Sequence, residues 1–113
     1  MSESKTYNGW TNYETWNVAL WIGNEEGSER YWREAAQECY AAAEADRTFT
    51  RDERAALTLA DRLKGEFEEA NPITEASVWA DLMGAALSEV NWHEIAENYI
   101  EEADKTDAED EDA

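Results

Sequence analysis

Apolar residues recur at intervals of three and four along most of the chain, and polar capping residues mark where each run begins. Thr11 or Asn12 is placed to cap a first helix running to about Ile22, with Glu14 three residues after Thr11 as a capping-box partner. Gly23 then reads as a left-handed stop. Ser28 opens a second helix to about Ala45, in which Tyr31, Ala35 and Cys39 lie beside Trp32, Ala36, Tyr40 and Ala43 as one stripe. Thr50-Arg51-Asp52-Glu53 forms a further capping box, with Ala56, Leu59, Ala60, Leu63 and Phe67 as the stripe behind it. Asn71-Pro72 ends that third helix, because the residue before proline is pushed out of helical geometry. Thr74 is the expected cap of a fourth, whose buried face would be Val78, Trp79, Leu82, Met83, Ala86, Leu87 and Val90. Asn91 opens the fifth, with Ile95, Ala96, Tyr99 and Ile100 facing inward.

No alternating run is long enough for a strand, although Tyr7 to Trp10 suits an extended segment. The pattern predicts an all-α fold, a compact bundle of about five helices, with residues 1–103 as a single helical domain. From Asp104 to Ala113 there is no aromatic or branched aliphatic side chain to bury, so this stretch is expected to be an acidic, disordered C-terminal tail. No internal repeat is visible.

Composition sharpens this picture. With 113 residues, of which 42% are hydrophobic and six are Trp, the chain has too much apolar surface for a disordered polyelectrolyte and enough for one core. Charge changes the functional reading more. Against 28 acidic side chains stand 9 basic ones, a net charge of −19. That field adds to the fields of nucleic acid and anionic membrane, so direct binding to either is excluded on sign. The charge is also segregated. Residues 1–64 hold 12 acids and 8 bases, whereas residues 65–113 hold 16 acids and Lys105 as their one base. Cys39 stands alone, so no disulfide is expected within the chain. The start lacks the basic-then-apolar layout of a signal peptide, and the longest apolar run, Val18 to Ile22, is far short of a membrane span. A cytoplasmic protein is expected.

Candidate chemistry is sparse. His93-Glu94 followed by Glu97 has the beginning of a helical zinc motif, but Glu97 stands where the second His belongs. His93 reads as a first-turn surface residue and Cys39 as a buried, inert thiol. Neither a phosphate-cradling glycine loop nor a calcium loop is present. The chain therefore reads as non-enzymatic, with no metal or cofactor. What stands out instead is aromatic: Tyr7, Trp10, Tyr13, Trp16 and Trp21 fall within fifteen residues. Tyr13, Trp16 and Leu20 share one helical face while Val18 and Trp21 point elsewhere. Either neighbours wrap the first helix or some aromatic surface stays exposed.

The segment Tyr7-Asn8-Gly9-Trp10-Thr11-Asn12-Tyr13-Glu14-Thr15-Trp16-Asn17-Val18-Ala19-Leu20-Trp21 resembles the opening signature of an uncharacterised family of small proteins. That family is a domain of unknown function found in phages, bacteria and haloarchaea. The later stretch Ala85-Ala86-Leu87-Ser88-Glu89-Val90-Asn91-Trp92-His93-Glu94-Ile95-Ala96 resembles its second block. The two blocks cover about a quarter of the chain. The resemblance implies a mobile-element or viral context, hence a host cytoplasm if phage-encoded, and brings no functional residue with it.

Three functional readings remain open. In the first, the chain is a DNA mimic, an anti-defence inhibitor of the anti-restriction or anti-CRISPR type, that fills the basic groove of a nucleic-acid-binding protein. Glu94, Glu97, Glu101 and Asp104 would line one edge of the last helix, with Glu102 beside them and Glu89 extending the surface. Neighbours in that row rise by about 4.5–6 Å, of the same scale as the charge spacing of about 3.4 Å along a DNA strand. In the second, the acid is adaptation to a salty cytoplasm. In the third, the chain is an adaptor that takes a protein partner through Tyr7, Trp10 and Trp21.

Overall fold

The computed structural model describes residues 7–103; residues 1–6 and the expected tail from Asp104 to Ala113 lie outside the described part. Five helices follow in order, and no strand occurs among the described residues: α1 Tyr13–Asn24, α2 Glu26–Ala42, α3 Arg51–Ala70, α4 Val78–Glu89 and α5 Trp92–Glu102. The fold is an all-α bundle.

Helices α3 and α5 form its centre and run antiparallel. At one end the rings of Phe67 and Trp92 stand 5.4 Å apart, and at the other Ala56 and Ile100 line a common cleft. Their facing stripes, Ala55, Ala56, Leu59, Ala60 and Leu63 against Ile95, Ala96 and Ile100, are buried. Helix α2 covers both with Trp32, Ala35, Ala36 and Cys39, and α1 lies over α2 and α5 through Ile22, Val18 and Ala19. Burial in this apolar wall pushes the Cys39 thiol pKa up.

The caps explain most boundaries. Asn12 accepts from the Thr15 amide, Thr50 and Glu53 complete a reciprocal capping box, and Asn91 accepts from the Glu94 amide. Ahead of α1, Tyr7 and Trp10 exchange two backbone hydrogen bonds of 2.9 and 2.7 Å. Between them Asn8 and Gly9 both take positive φ, 47° and 89°. That pair of left-handed residues is the Asn-Gly hairpin turn, so the extended segment expected at Tyr7 to Trp10 is this turn and its isolated bridge.

Several boundaries and one face depart from the sequence reading. Gly23 is not a left-handed stop: it is helical, and α1 continues to Asn24. The chain leaves through an extended Glu25, which also caps α2 by accepting from the Ser28 amide at 2.9 Å. Ser28 is thereby inside the first turn of α2, its hydroxyl donating to the Ile22 carbonyl at 2.7 Å. Helix α2 stops at Ala42 instead of Ala45. The cap of α4 is Ser77 in place of Thr74. The largest correction concerns the α4 face expected to be buried. Val90, just past the helix, is buried; Met83 and Leu87 are half-buried; Val78, Trp79, Leu82 and Ala86 are exposed. The physical reason is a shortage of neighbours. Helix α4 packs chiefly on α1, outside the α2–α3–α5 core, so a helix apolar on two sides has one side covered.

Candidate functional site

The start of α1 and the α4–α5 corner are clasped to each other across 76 to 83 positions of the chain. The Asn12 side-chain amide donates to the Glu89 carbonyl at 2.7 Å. Thr15 accepts at Oγ1 from the Asn91 amide at 2.8 Å and donates to Asn12 Oδ1. The Thr11 amide donates to Glu94 Oε1 at 3.1 Å, and the Asn91 side chain donates to the Thr11 hydroxyl at 3.3 Å. Thr15 is fully buried and Glu94 is 4% exposed. One residue, Asn12, thus caps α1 and ties it to the end of α4, while Asn91 caps α5 and ties it back to α1. These polar residues are architectural: they fix the α4–α5 corner against the first turn of α1.

This removes Glu94 from the acidic surface. Its carboxylate points into the clasp, because the hairpin ahead of α1 lies over the first turn of α5. Sequence spacing placed it in one row with Glu97 and Glu101; a contact across 83 positions overrides that. Asp104 lies outside the described residues. Glu89, Glu97, Glu101 and Glu102 are exposed. Glu97 and Glu101, one turn apart, face two acids of α3 that the sequence did not single out, Asp52 and Glu53, across a cleft of about 420 Å³. Antiparallel packing brings the acid-rich first turn of α3 beside the acid-rich end of α5. The charged side chains exposed at that cleft, Asp52, Glu53, Glu97 and Glu101, are all acidic, and Glu94 lies buried beneath them among its lining residues.

On α2 and α3 several acids pair with arginines. Arg62 of α3 binds Glu38 of α2 at 3.1 Å and Glu66 at 3.2 Å, and donates to the Tyr31 hydroxyl at 3.1 Å. Arg30 faces Glu26, Arg33 pairs with Glu29, and Arg54 faces Asp46. Helices α4 and α5 contain no Arg or Lys at all; Glu97 has His93 beside it at 3.5 Å. The segregation seen in sequence therefore becomes a spatial one among the described residues, with these Arg side chains on α2 and α3 and the acid of α4 and α5 unaccompanied by Arg or Lys on those helices.

The aromatic candidates separate. Tyr7 closes a three-ring cluster with Tyr13 at 5.3 Å and Trp16 at 5.0 Å. Trp10 is half-buried against the core, while Trp21 is 70% exposed. The buried face of α1 is Thr15, Val18, Ala19 and Ile22, so aromatic surface does stay exposed. Trp10 and Trp21 thus differ in exposure.

Near the other flank of α5, Tyr99 is half-buried between Glu29 and Glu102. Burial first, then those two carboxylates, push its phenol up to about 12. Its folded value lies above the ordinary tyrosine value of 10.0, so the unfolded chain loses this proton first. Stability from the neutral phenol is thus whole below pH 10 and is lost as pH rises toward 12. In an ultraviolet phenolate titration one of the five tyrosines should ionise late, in step with unfolding; Tyr99→Phe should remove that late step.

Among the described residues no group of three or more His, Cys, Asp or Glu side chains is placed to hold a metal ion. No helix among them is long and apolar enough to cross a membrane. One protein-family profile, described as a family of unknown function (DUF7249), matches residues 3–111. No curated protein and no solved structure matches the chain.

Proposed function

We propose a function from the premise that this chain belongs to DUF7249, a family of unknown function: it is a non-enzymatic, acidic binding protein that occupies the basic, nucleic-acid-binding surface of a protein partner. The observation that carries this reading is the α3–α5 cleft, where carboxylates from two helices converge without a basic side chain among the lining residues. Lysines and arginines built to hold phosphates bind carboxylates by the same charge-assisted hydrogen bonds. Glu97 and Glu101 rise about 6 Å apart along α5, and Asp52 and Glu53 supply a second acidic edge across the cleft. Such a surface steers a basic partner toward it from a distance and repels nucleic acid itself. The finer form of the proposal is DNA mimicry in defence inhibition, with Glu89, Glu97, Glu101 and Glu102 as partner-binding acids and the cytoplasm as the place of action.

Binding of this kind weakens steeply with salt, because the partner's counterions return as the complex dissociates. Capture from a host lysate at about 0.15 M salt should retain nucleic-acid-binding proteins that are released at about 0.5 M. A captured set without nucleic-acid-binding proteins, or one that stays bound at the higher salt, contradicts the proposal.

A further inference from the structure

Helix α4 is apolar on two opposite sides. At 3.6 residues per turn, the half-buried Ala80, Met83 and Leu87 form one stripe, and Val78, Leu82 and Ala85 form the ridge opposite, with Trp79 and Ala86 on its shoulder. Val78, Trp79 and Leu82 are 62%, 65% and 58% exposed. On the adjoining α1, Leu20 and Trp21 are exposed as well. A lone exposed Trp is ordinary; a ridge of large apolar residues on one helix marks an interaction surface.

The composition of the molecule narrows what covers it. Residues 1–6 and 104–113 contain no aromatic or branched aliphatic residue, so they lack the side chains to cover this ridge. A basic partner is drawn to the α5 side, since α4 offers only Asp81 and Glu89 as charges. For a second copy the logic reverses. Two chains of net charge −19 repel wherever their acidic faces meet. Helices α1 and α4 are the region of least charge, holding just Glu14, Asp81 and Glu89 between them. We infer that the outer ridge of α4 is a homodimer interface, in which Val78, Trp79 and Leu82 of one protomer meet the same residues of a second copy across a two-fold axis.

The area sets the strength of that association. Taking about 150–250 Å² for a large side chain, the exposed parts of Val78, Trp79 and Leu82 come to roughly 380 Å² per protomer. A two-fold pair on this ridge therefore removes roughly 760 Å² from water, below the standard size of stable interfaces and in the range of weak, transient ones. A reversible dimer follows, in which the acidic cleft is present twice.

Sedimentation equilibrium tests this directly. The expected mass rises from 12.9 kDa toward about twice that value between roughly micromolar and roughly millimolar concentration. Added salt should strengthen the dimer, because it screens the repulsion between two acidic chains. Leu82→Glu and, separately, Trp79→Ser should weaken association at least about tenfold with unchanged helicity. Leu57→Glu, at an exposed apolar position of α3, should leave it intact. A monomer at every concentration and at high salt overturns the inference, as does a dimer that neither variant weakens. Loss of helicity in Leu82→Glu also counts against it, since an outward ridge tolerates a carboxylate in the protomer. The salt dependence separates this result from the acidic-cleft reading, whose complex weakens as salt rises.

Discussion

Thr15→Val is expected to lower the unfolding free energy by about 2–3 kcal/mol, a sizeable part of the 5–15 kcal/mol that holds an ordinary domain together. The change is nearly isosteric, so no cavity contributes. What is lost is the hydroxyl at the centre of the clasp. Thr15 Oγ1 accepts from the Asn91 amide and donates to Asn12 Oδ1, in a side chain with no solvent exposure. Valine leaves the Asn91 N–H facing a methyl group and removes one support from the Asn12 cap. Because Asn12 and Asn91 begin α1 and α5, the damage reaches both helices and the α4–α5 corner between them. Urea unfolding followed by tryptophan fluorescence checks this. A loss below about 0.5 kcal/mol would show that the clasp is decoration on a fold held by its apolar core.

Reversing charge on the other side of α5 should do the opposite. Glu97→Lys with Glu101→Lys is expected to weaken the proposed complex by at least about 100-fold, near 3 kcal/mol, in line with measured couplings between close interfacial charges. The fold should hardly notice. Both side chains are exposed, and the new lysines would face Asp52 and Glu53 across the cleft instead of repelling them. The His93–Glu97 pair that disappears is a surface i,i+4 contact worth at most about 0.5 kcal/mol. A thermal melt at or above that of the wild type, together with lost binding, identifies a surface kept acidic for its partner. Unchanged affinity would place partner recognition elsewhere.

The helices were legible because their signals are local. Asn12, Thr50 and Asn91 sit immediately before apolar runs, Pro72 follows α3 at once, and the stripes of α2, α3 and α5 each face a neighbour that is present. The burial of α4 was not legible, because periodicity reports which sides of a helix are apolar and not how many neighbours it has. Gly23 misled for a related reason: a glycine stop is needed only where the chain turns through left-handed geometry, and here the exit is an extended Glu25 shared by two helices. The Asn8-Gly9 turn carries a readable signal, the Asn-Gly pair. Glu94 and Thr15 carried none. An acid in a row of acids and a threonine between aromatics look like surface until a segment some eighty residues away is laid against them. The acidic cleft was half legible: spacing supplied Glu97 and Glu101, and only antiparallel packing supplied Asp52 and Glu53.

Competition with duplex DNA tests the central claim most directly. A nucleic-acid-binding partner captured by this chain would be loaded with labelled duplex and titrated with the chain, following the label's anisotropy and the composition of the complex. Occupation of the basic surface predicts stoichiometric release of the duplex, with no species holding both ligands. A stable ternary complex of partner, duplex and chain would contradict it.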